Sequence, residues 1–128
     1  MPVDPHTVST AALAYLGDAV LEVLVRRRLV EAGFSSSKSL NEHAAAYVTA
    51  PSQAAAMERL LPLLTEEEAA VFRRGRNIGH TATPRHATMA EYRSATGMEA
   101  LFGHLSLTGQ AERAFELFAA AFPADVKE

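Results

Sequence analysis

Apolar positions recur at intervals of three and four along most of the chain, and an alternating strand pattern is absent. Between residues 7 and 32 they fall at Leu13, Leu16, Val20, Val23, Leu24 and Val30, which predicts a long first helix. Gly33, just after the basic turn Arg26-Arg27-Arg28, predicts its end. Phe34 to Ser39 reads as a polar connector, and Leu40 to Val48 as a second helix. Pro51 opens a third at a first-turn position that needs no N–H donor, and this helix carries Met57, Leu60 and Leu61. Thr65-Glu66-Glu67-Glu68 has the form of a capping box and starts a helix through Val71 and Phe72. Gly75, Gly79 and Pro84 predict a loop over 75–87. A long helix then covers about Thr88 to Leu107, Gly109 allows a turn, and 110–122 forms the last helix with Phe115, Leu117, Phe118 and Phe122. The whole reads as all-α. No repeat, low-complexity tract or long linker divides it, so residues 1–128 are expected to form a single domain with its core over about 8–122.

Composition narrows the classes. Hydrophobic residues make up 48% of 128, enough for one core, and charged residues are 21%, near the globular norm. The absence of cysteine excludes disulfides and thiolate metal sites and fits a reducing, cytoplasmic setting. No apolar run approaches the roughly 20 residues of a membrane span, and the first residues show no signal-peptide pattern. A net charge of −3 counts against a general nucleic-acid binder. Its distribution counts the other way. Residues 69–90 contain no acid but include Arg73, Arg74, Arg76, Arg85, His80 and His86. A local basic segment on an acidic body can dock a phosphate backbone; charge alone favours a solvated surface loop.

Two carboxylates sit among apolar and small residues: Asp18 in Ala14–Glu22, and Glu99 in Tyr92–Gly103. At 100° per residue, Ala14, Leu21 and Val25 flank Asp18, and Leu13, Leu16, Val20 and Leu24 line the opposite face. That helix is apolar nearly all round, as expected of a central buried helix. Glu22, one turn on, is a candidate supporting or interface acid. Glu99 shares a face with Tyr92, Ala95, Phe102, Gly103 and Ser106. The small residues Ala95 and Gly103 would admit another helix closely, and Gly17 marks either a bend or a close helix approach; two such helices would bring Asp18 and Glu99 within reach of one hard cation. The structural alternative, which spacing alone favours, is an acid that pairs with an arginine, for which Arg93 is available, or caps a helix. His43, His80, His86 and His104 lack zinc-type spacing and are expected in surface or loop roles. Met57, Met89 and Met98 read as core fillers.

These residues carry a resemblance. Leu13-Ala14-Tyr15-Leu16-Gly17-Asp18-Ala19-Val20-Leu21-Glu22 resembles the signature helix of the ribonuclease III catalytic domain, and Glu99-Ala100-Leu101-Phe102-Gly103 resembles its second acidic helix. Val48-Thr49-Ala50-Pro51-Ser52-Gln53, Arg74-Gly75-Arg76-Asn77, Thr83-Pro84 and Tyr92-Arg93-Ser94-Ala95-Thr96 resemble the Mini-ribonuclease III branch, which has no double-stranded-RNA-binding domain. The matches run in register over about residues 10 to 110. Larger relatives carry further acids where this chain has Ala11, Ala14 and Thr96, which leaves Asp18 and Glu99 as the implied metal-binding pair.

The resemblance implies a ribonuclease III endonuclease-like helical bundle and a Mg²⁺-dependent endoribonuclease cleaving double-stranded RNA. Asp18 and Glu99 would be the catalytic metal ligands, with Mn²⁺ able to substitute for Mg²⁺. RNA contacts are expected from Arg73, Arg74, Arg76 and Asn77, then Thr83 and Arg85. It also implies a homodimer, with one site per strand, and a role in maturing precursor large-subunit ribosomal RNA, with a ribosomal protein as candidate accessory partner. Three alternatives remain at this level. An RNA-binding module of the same fold would not need both acids. A helical dimer would have no RNA role. A metal-dependent nucleotide hydrolase would want more carboxylates at turn spacing.

Overall fold

Five of the six α-helices among the described residues begin where a side-chain oxygen meets an unsatisfied N–H group. The computed structural model describes residues 3–78 and 87–123. Helix α1 (Thr10–Glu31) is capped by Ser9, α2 (Ser37–Val48) by Ser36 and α3 (Ala50–Leu60) by Thr49, with Pro51 in the first turn. Helices α4 (Glu66–Arg76) and α5 (Met89–Leu107) start with full capping boxes, Thr65 with Glu68 and Thr88 with Glu91. Helix α6 (Ala111–Ala121) has no side-chain cap. Short 3₁₀ turns occupy Pro5–Thr7 and Leu61–Leu63, and no strand occurs among the described residues. Gly33 and Gly109, at φ 100° and 73°, make the turns after α1 and α5 that a side chain would strain.

The fold is all-α, as expected, with three differences of detail. Helix α2 begins at Ser37 because Ser36 supplies the cap, so the serine run opens the helix rather than connecting to it. Helix α4 continues to Arg76 with Gly75 inside it. Helix α1 is not enclosed. Leu13, Ala14, Gly17, Leu21, Val25 and Leu29 are buried, while Tyr15, Val23 and Val30 on another face are exposed.

Helix α5 is the axle. Met98, Ala100, Leu101, Phe102 and Leu105 are fully buried, and α1, α3 and α4 pack around them. Two arginines tie down the end of α6. Arg28 donates to the Phe122 carbonyl and lies 4.7 Å from the Phe118 ring centre, and Arg59 Nε donates to Ala121 O at 2.7 Å. Cations suit the negative end of a helix.

One buried ion pair joins α4 to α6. Arg113 donates to both carboxylate oxygens of Glu68 at 2.9 Å, and also to Leu63 O and Glu116. Glu68 simultaneously accepts from Thr65 N at 2.9 Å. Glu68→Ala strands Arg113 and removes the cap, and is expected to cost about 2–4 kcal/mol, read as a fall in the urea midpoint; a loss below about 1 kcal/mol would put the pair in the surface class. The Arg113 hydrogen bonds hold the Glu68 carboxyl below its ordinary 4.5. The unfolded chain therefore takes up this proton first as pH falls. The contribution is complete above about pH 4.5 and is lost below it as pH falls through the lowered value. Glu68→Gln should flatten stability against pH in that acid window.

Candidate active site

Two mid-helix glycines set the site. A Cβ on Gly17 would lie 1.6 Å from Glu99 O, and one on Gly103 would lie 1.9 Å from Leu13 O. Helices α1 and α5 therefore cross backbone to backbone, a distance only glycine permits. Asp18 follows Gly17 and Glu99 precedes Gly103 by one turn, so the crossing brings the two carboxyl groups together.

The electrostatics report that adjacency. Burial pushes the Glu99 carboxyl up to about 7, reinforced by the negative charge of Asp18 and by a hydrogen bond between the two side chains. Asp18 itself is exposed and Glu99 half-buried. No ion pair reaches either acid among the described residues. Arg93, the residue available to neutralise them, does not pair with them. Two touching carboxylates without a counter-charge form a donor set for a hard divalent cation. No third His, Asp or Glu joins them into a cluster of three among the described residues. A two-carboxylate set fits Mg²⁺, which commonly keeps several waters and takes oxygens from substrate phosphates. The exposed side of Asp18 leaves room for both. The Thr96 hydroxyl donates to Tyr92 O at 3.1 Å.

A second glycine crossing places the basic segment. A Cβ on Gly75 would lie 2.8 Å from Gly97 Cα, and one on Gly97 would lie 2.6 Å from the Phe72 ring. Helix α4 thus runs antiparallel against α5, its last turn beside the stretch that leads to Glu99. Arg73, Arg74, Arg76 and Asn77 are all exposed there. Thr83 and Arg85, with His80 and His86, lie outside the described residues. Glu22, one turn after Asp18, is paired elsewhere on its own helix. Its carboxylate binds Arg26 at 2.8 Å, and it lines a groove of about 580 Å³ between α1 and α2.

Two histidines differ from expectation or find a plain role. His104 is buried on the α4-facing side of α5, 3.6 Å from Glu67, and burial holds its imidazole below the ordinary value. It is not a surface group. His43 stacks on Phe34 with ring centres 4.0 Å apart. Met57 and Met98 are buried fillers, as read from sequence. The second crossing escaped sequence reading, although paired mid-helix glycines, Gly75 and Gly97, were its visible signal.

The all-α fold thus crosses two acids at a glycine contact, with exposed arginines on the neighbouring helix. The family profile described as Ribonuclease III domain matches residues 11–110. The chain belongs to the ribonuclease III family and is an endoribonuclease of that type. It is 49% identical over 118 residues to Mini-ribonuclease 3 of Symbiobacterium thermophilum, covering 92% of this chain and 91% of that one. It is 44% identical over 116 residues to Mini-ribonuclease 3 of Enterococcus faecalis, covering 89% and 88%. An X-ray structure of a protein from Fusobacterium nucleatum superposes with a TM-score of 0.81 at 29% identity, over 91% of this chain and 93% of that one. Members of the family generally depend on divalent metal.

Proposed function

We propose that this chain is a Mg²⁺-dependent endonuclease of double-stranded RNA whose cation is held by Asp18 and Glu99. The observation that carries this is the adjacency of two carboxylates at a close backbone crossing, with no ion pair to either among the described residues. When bound, the cation supplies Lewis-acid activation of water and stabilises charge at the phosphate. The residues supply the rest. Glu99 is fixed by burial and by the Gly17 and Gly103 contacts. Asp18 faces solvent, where substrate arrives. Arg73, Arg74, Arg76 and Asn77, on the neighbouring helix, hold phosphate and ribose oxygens of the duplex, with Thr83 and Arg85 as further contacts. A-form RNA is read mainly by shape across its shallow minor groove, which suits a site with few base-reading groups. Mn²⁺ would serve with the same ligands.

The test is incubation with a long RNA duplex in Mg²⁺ and in EDTA. Cleavage that requires the metal supports the reading. Binding without cleavage would favour the non-catalytic RNA-binding module. Precursor large-subunit ribosomal RNA is the natural target we propose, with cytoplasmic action and a ribosomal protein as accessory partner; cleavage of that precursor at its mature ends checks the assignment. Changing Arg74 and Arg76 together to Ala should weaken duplex binding and lower the slope of log K against log salt by about two. An unchanged slope would remove that helix end from the interface.

A duplex needs two cuts, and we propose that a second copy supplies the second site. Tyr15, Val23 and Val30 are 85%, 63% and 61% exposed, and with Ala12 and Ala19 they give one face of α1 an apolar surface that Arg26 interrupts. A surface of this kind on a soluble chain marks an interface, and a two-fold pairing buries it in both copies. Tyr15→Glu should convert the dimer to monomer in sedimentation; a variant that stays dimeric would place the interface elsewhere.

A further inference from the structure

The described arginines fall into two sets. Arg26 and Arg27 pair with Glu22 and Glu31 on their own helix. Arg28 and Arg59 bind carbonyls at the end of α6, and Arg113 binds Glu68 and Glu116. Arg73, Arg74, Arg76 and Arg93 have no carboxylate or carbonyl partner among the described residues; Arg76 only lies over the Phe72 ring, 5.7 Å from its centre. Three of these four form the end of α4. The fourth is on α5, the helix of Glu99.

The helix geometry puts Arg93 with the other three. Arg93, Gly97, Ala100 and His104 follow at intervals of four, three and four, so they share one face of α5. That face meets α4: His104 lies 3.6 Å from Glu67, and Gly97 and Ala100 meet Gly75. Because the helices are antiparallel, Arg93 falls one turn beyond the Gly75–Gly97 contact, just past the last turn of α4. It is exposed there. Its nearest acid in sequence, Glu91, is engaged in the cap of α5, accepting from Thr88 N at 2.9 Å. Arg93 stands six residues before Glu99, about 9 Å along one rigid helix.

We infer that Arg93 is a phosphate-binding residue that carries the arginine row of α4 across the glycine crossing onto the metal-ligand helix, fixing the RNA backbone relative to the acid pair. This rests on the duplex-RNA reading above. Being rigidly linked to Glu99, Arg93 ties the register of the bound strand to the site. An exposed arginine with no acid partner among the described residues keeps its charge for an external phosphate, whereas a structural arginine spends its charge inside the fold.

The test compares Arg93→Ala, Arg93→Lys and Arg27→Ala with the wild type, using a long RNA duplex over a range of salt. For Arg93→Ala we expect an unchanged thermal midpoint, binding weakened about 3- to 10-fold, and a salt slope lower by about one per protomer. Arg93→Lys should restore most of the slope, because the charge remains. Arg27→Ala, at the far end of α1, should keep the wild-type slope. Wild-type binding and slope in Arg93→Ala would overturn the inference and leave the nuclease reading standing. So would an equal slope change in Arg27→Ala, or a fall in the Arg93→Ala midpoint of several degrees. A wild type that neither binds nor cleaves duplex RNA would overturn both.

Discussion

Asp18→Asn and Glu99→Gln each lower the single-turnover cleavage rate of duplex RNA by about two to three orders of magnitude or more, at saturating Mg²⁺. That loss corresponds to about 2.7–4 kcal/mol of transition-state stabilisation. The reasoning starts from donor count. The pair supplies two carboxylates, and no third acidic ligand stands close by among the described residues. Neutralising either leaves a single anionic ligand for a doubly charged ion. Both charge at the phosphate and activation of water then suffer together.

The same substitutions should leave the fold intact. Asp18 is exposed, and Asn is its isostere. Glu99 is pushed up to about 7 by burial and by its anionic neighbour, so Gln removes a charge the metal-free protein resists holding. The thermal midpoint without metal should stay level for Asp18→Asn and stay level or rise for Glu99→Gln. Activity lost while stability holds is the signature of a working group. Either variant retaining a tenth or more of the wild-type rate would remove that acid from the mechanism. Proton and cation compete for the Glu99 carboxylate. Its proton leaves as pH rises through about 7 in the metal-free state, so wild-type activity at limiting Mg²⁺ should climb across that range. More Mg²⁺ should move the climb to lower pH, and a pH–rate profile at two Mg²⁺ concentrations measures this.

Much of this architecture was legible in the residues, for reasons that differ by element. Helix starts read well because capping is local: Thr65 and Glu68 sit three apart and answer each other's backbone. The acid pair was legible as a convergence because small residues, Gly17 and Gly103, marked where two helices touch. What sequence reading got wrong was enclosure. A helix apolar on most sides looks central, yet periodicity cannot tell a side covered by the same chain from one left for another, and Tyr15 proves 85% exposed. Helix ends at glycine misled for a related reason. Gly75 reads as a breaker when taken alone, but it lies inside α4 because Gly97 and Ala100 need the space a side chain would fill. His104 was placed outside because a lone histidine carries no burial signal. Arg93 is an available partner for the acids when only residue types are counted, whereas its face of α5 turns toward α4.

Gly17→Ala and Gly103→Ala are expected to be the most damaging single substitutions in the chain, abolishing activity and costing more than about 3 kcal/mol each. Overpacking a core usually costs about 1–3 kcal/mol, because side chains rotate to make room. Here the added methyl meets backbone. It would sit 1.6 Å from the Glu99 carbonyl oxygen in one case and 1.9 Å from that of Leu13 in the other, well inside van der Waals contact. A carbonyl within a helix cannot turn away without breaking its own hydrogen bond, so α1 and α5 must move apart bodily. That opens the largest helix interface and separates Asp18 from Glu99 in one step. The graded controls come from the other glycines. Gly97→Ala meets the Phe72 ring at 2.6 Å and the Phe72 carbonyl oxygen at 2.8 Å, a far milder backbone clash than 1.6 or 1.9 Å, and should cost less. Gly109→Ala meets nothing within 4 Å and is limited to about 1–2 kcal/mol of backbone strain at its positive φ. Urea melts of the four variants should therefore rank Gly17 and Gly103 first, Gly97 next and Gly109 last. If Gly17→Ala melted like Gly109→Ala and still cut RNA, the two helices would not be in backbone contact, and the geometry that brings the acids together would have to be abandoned.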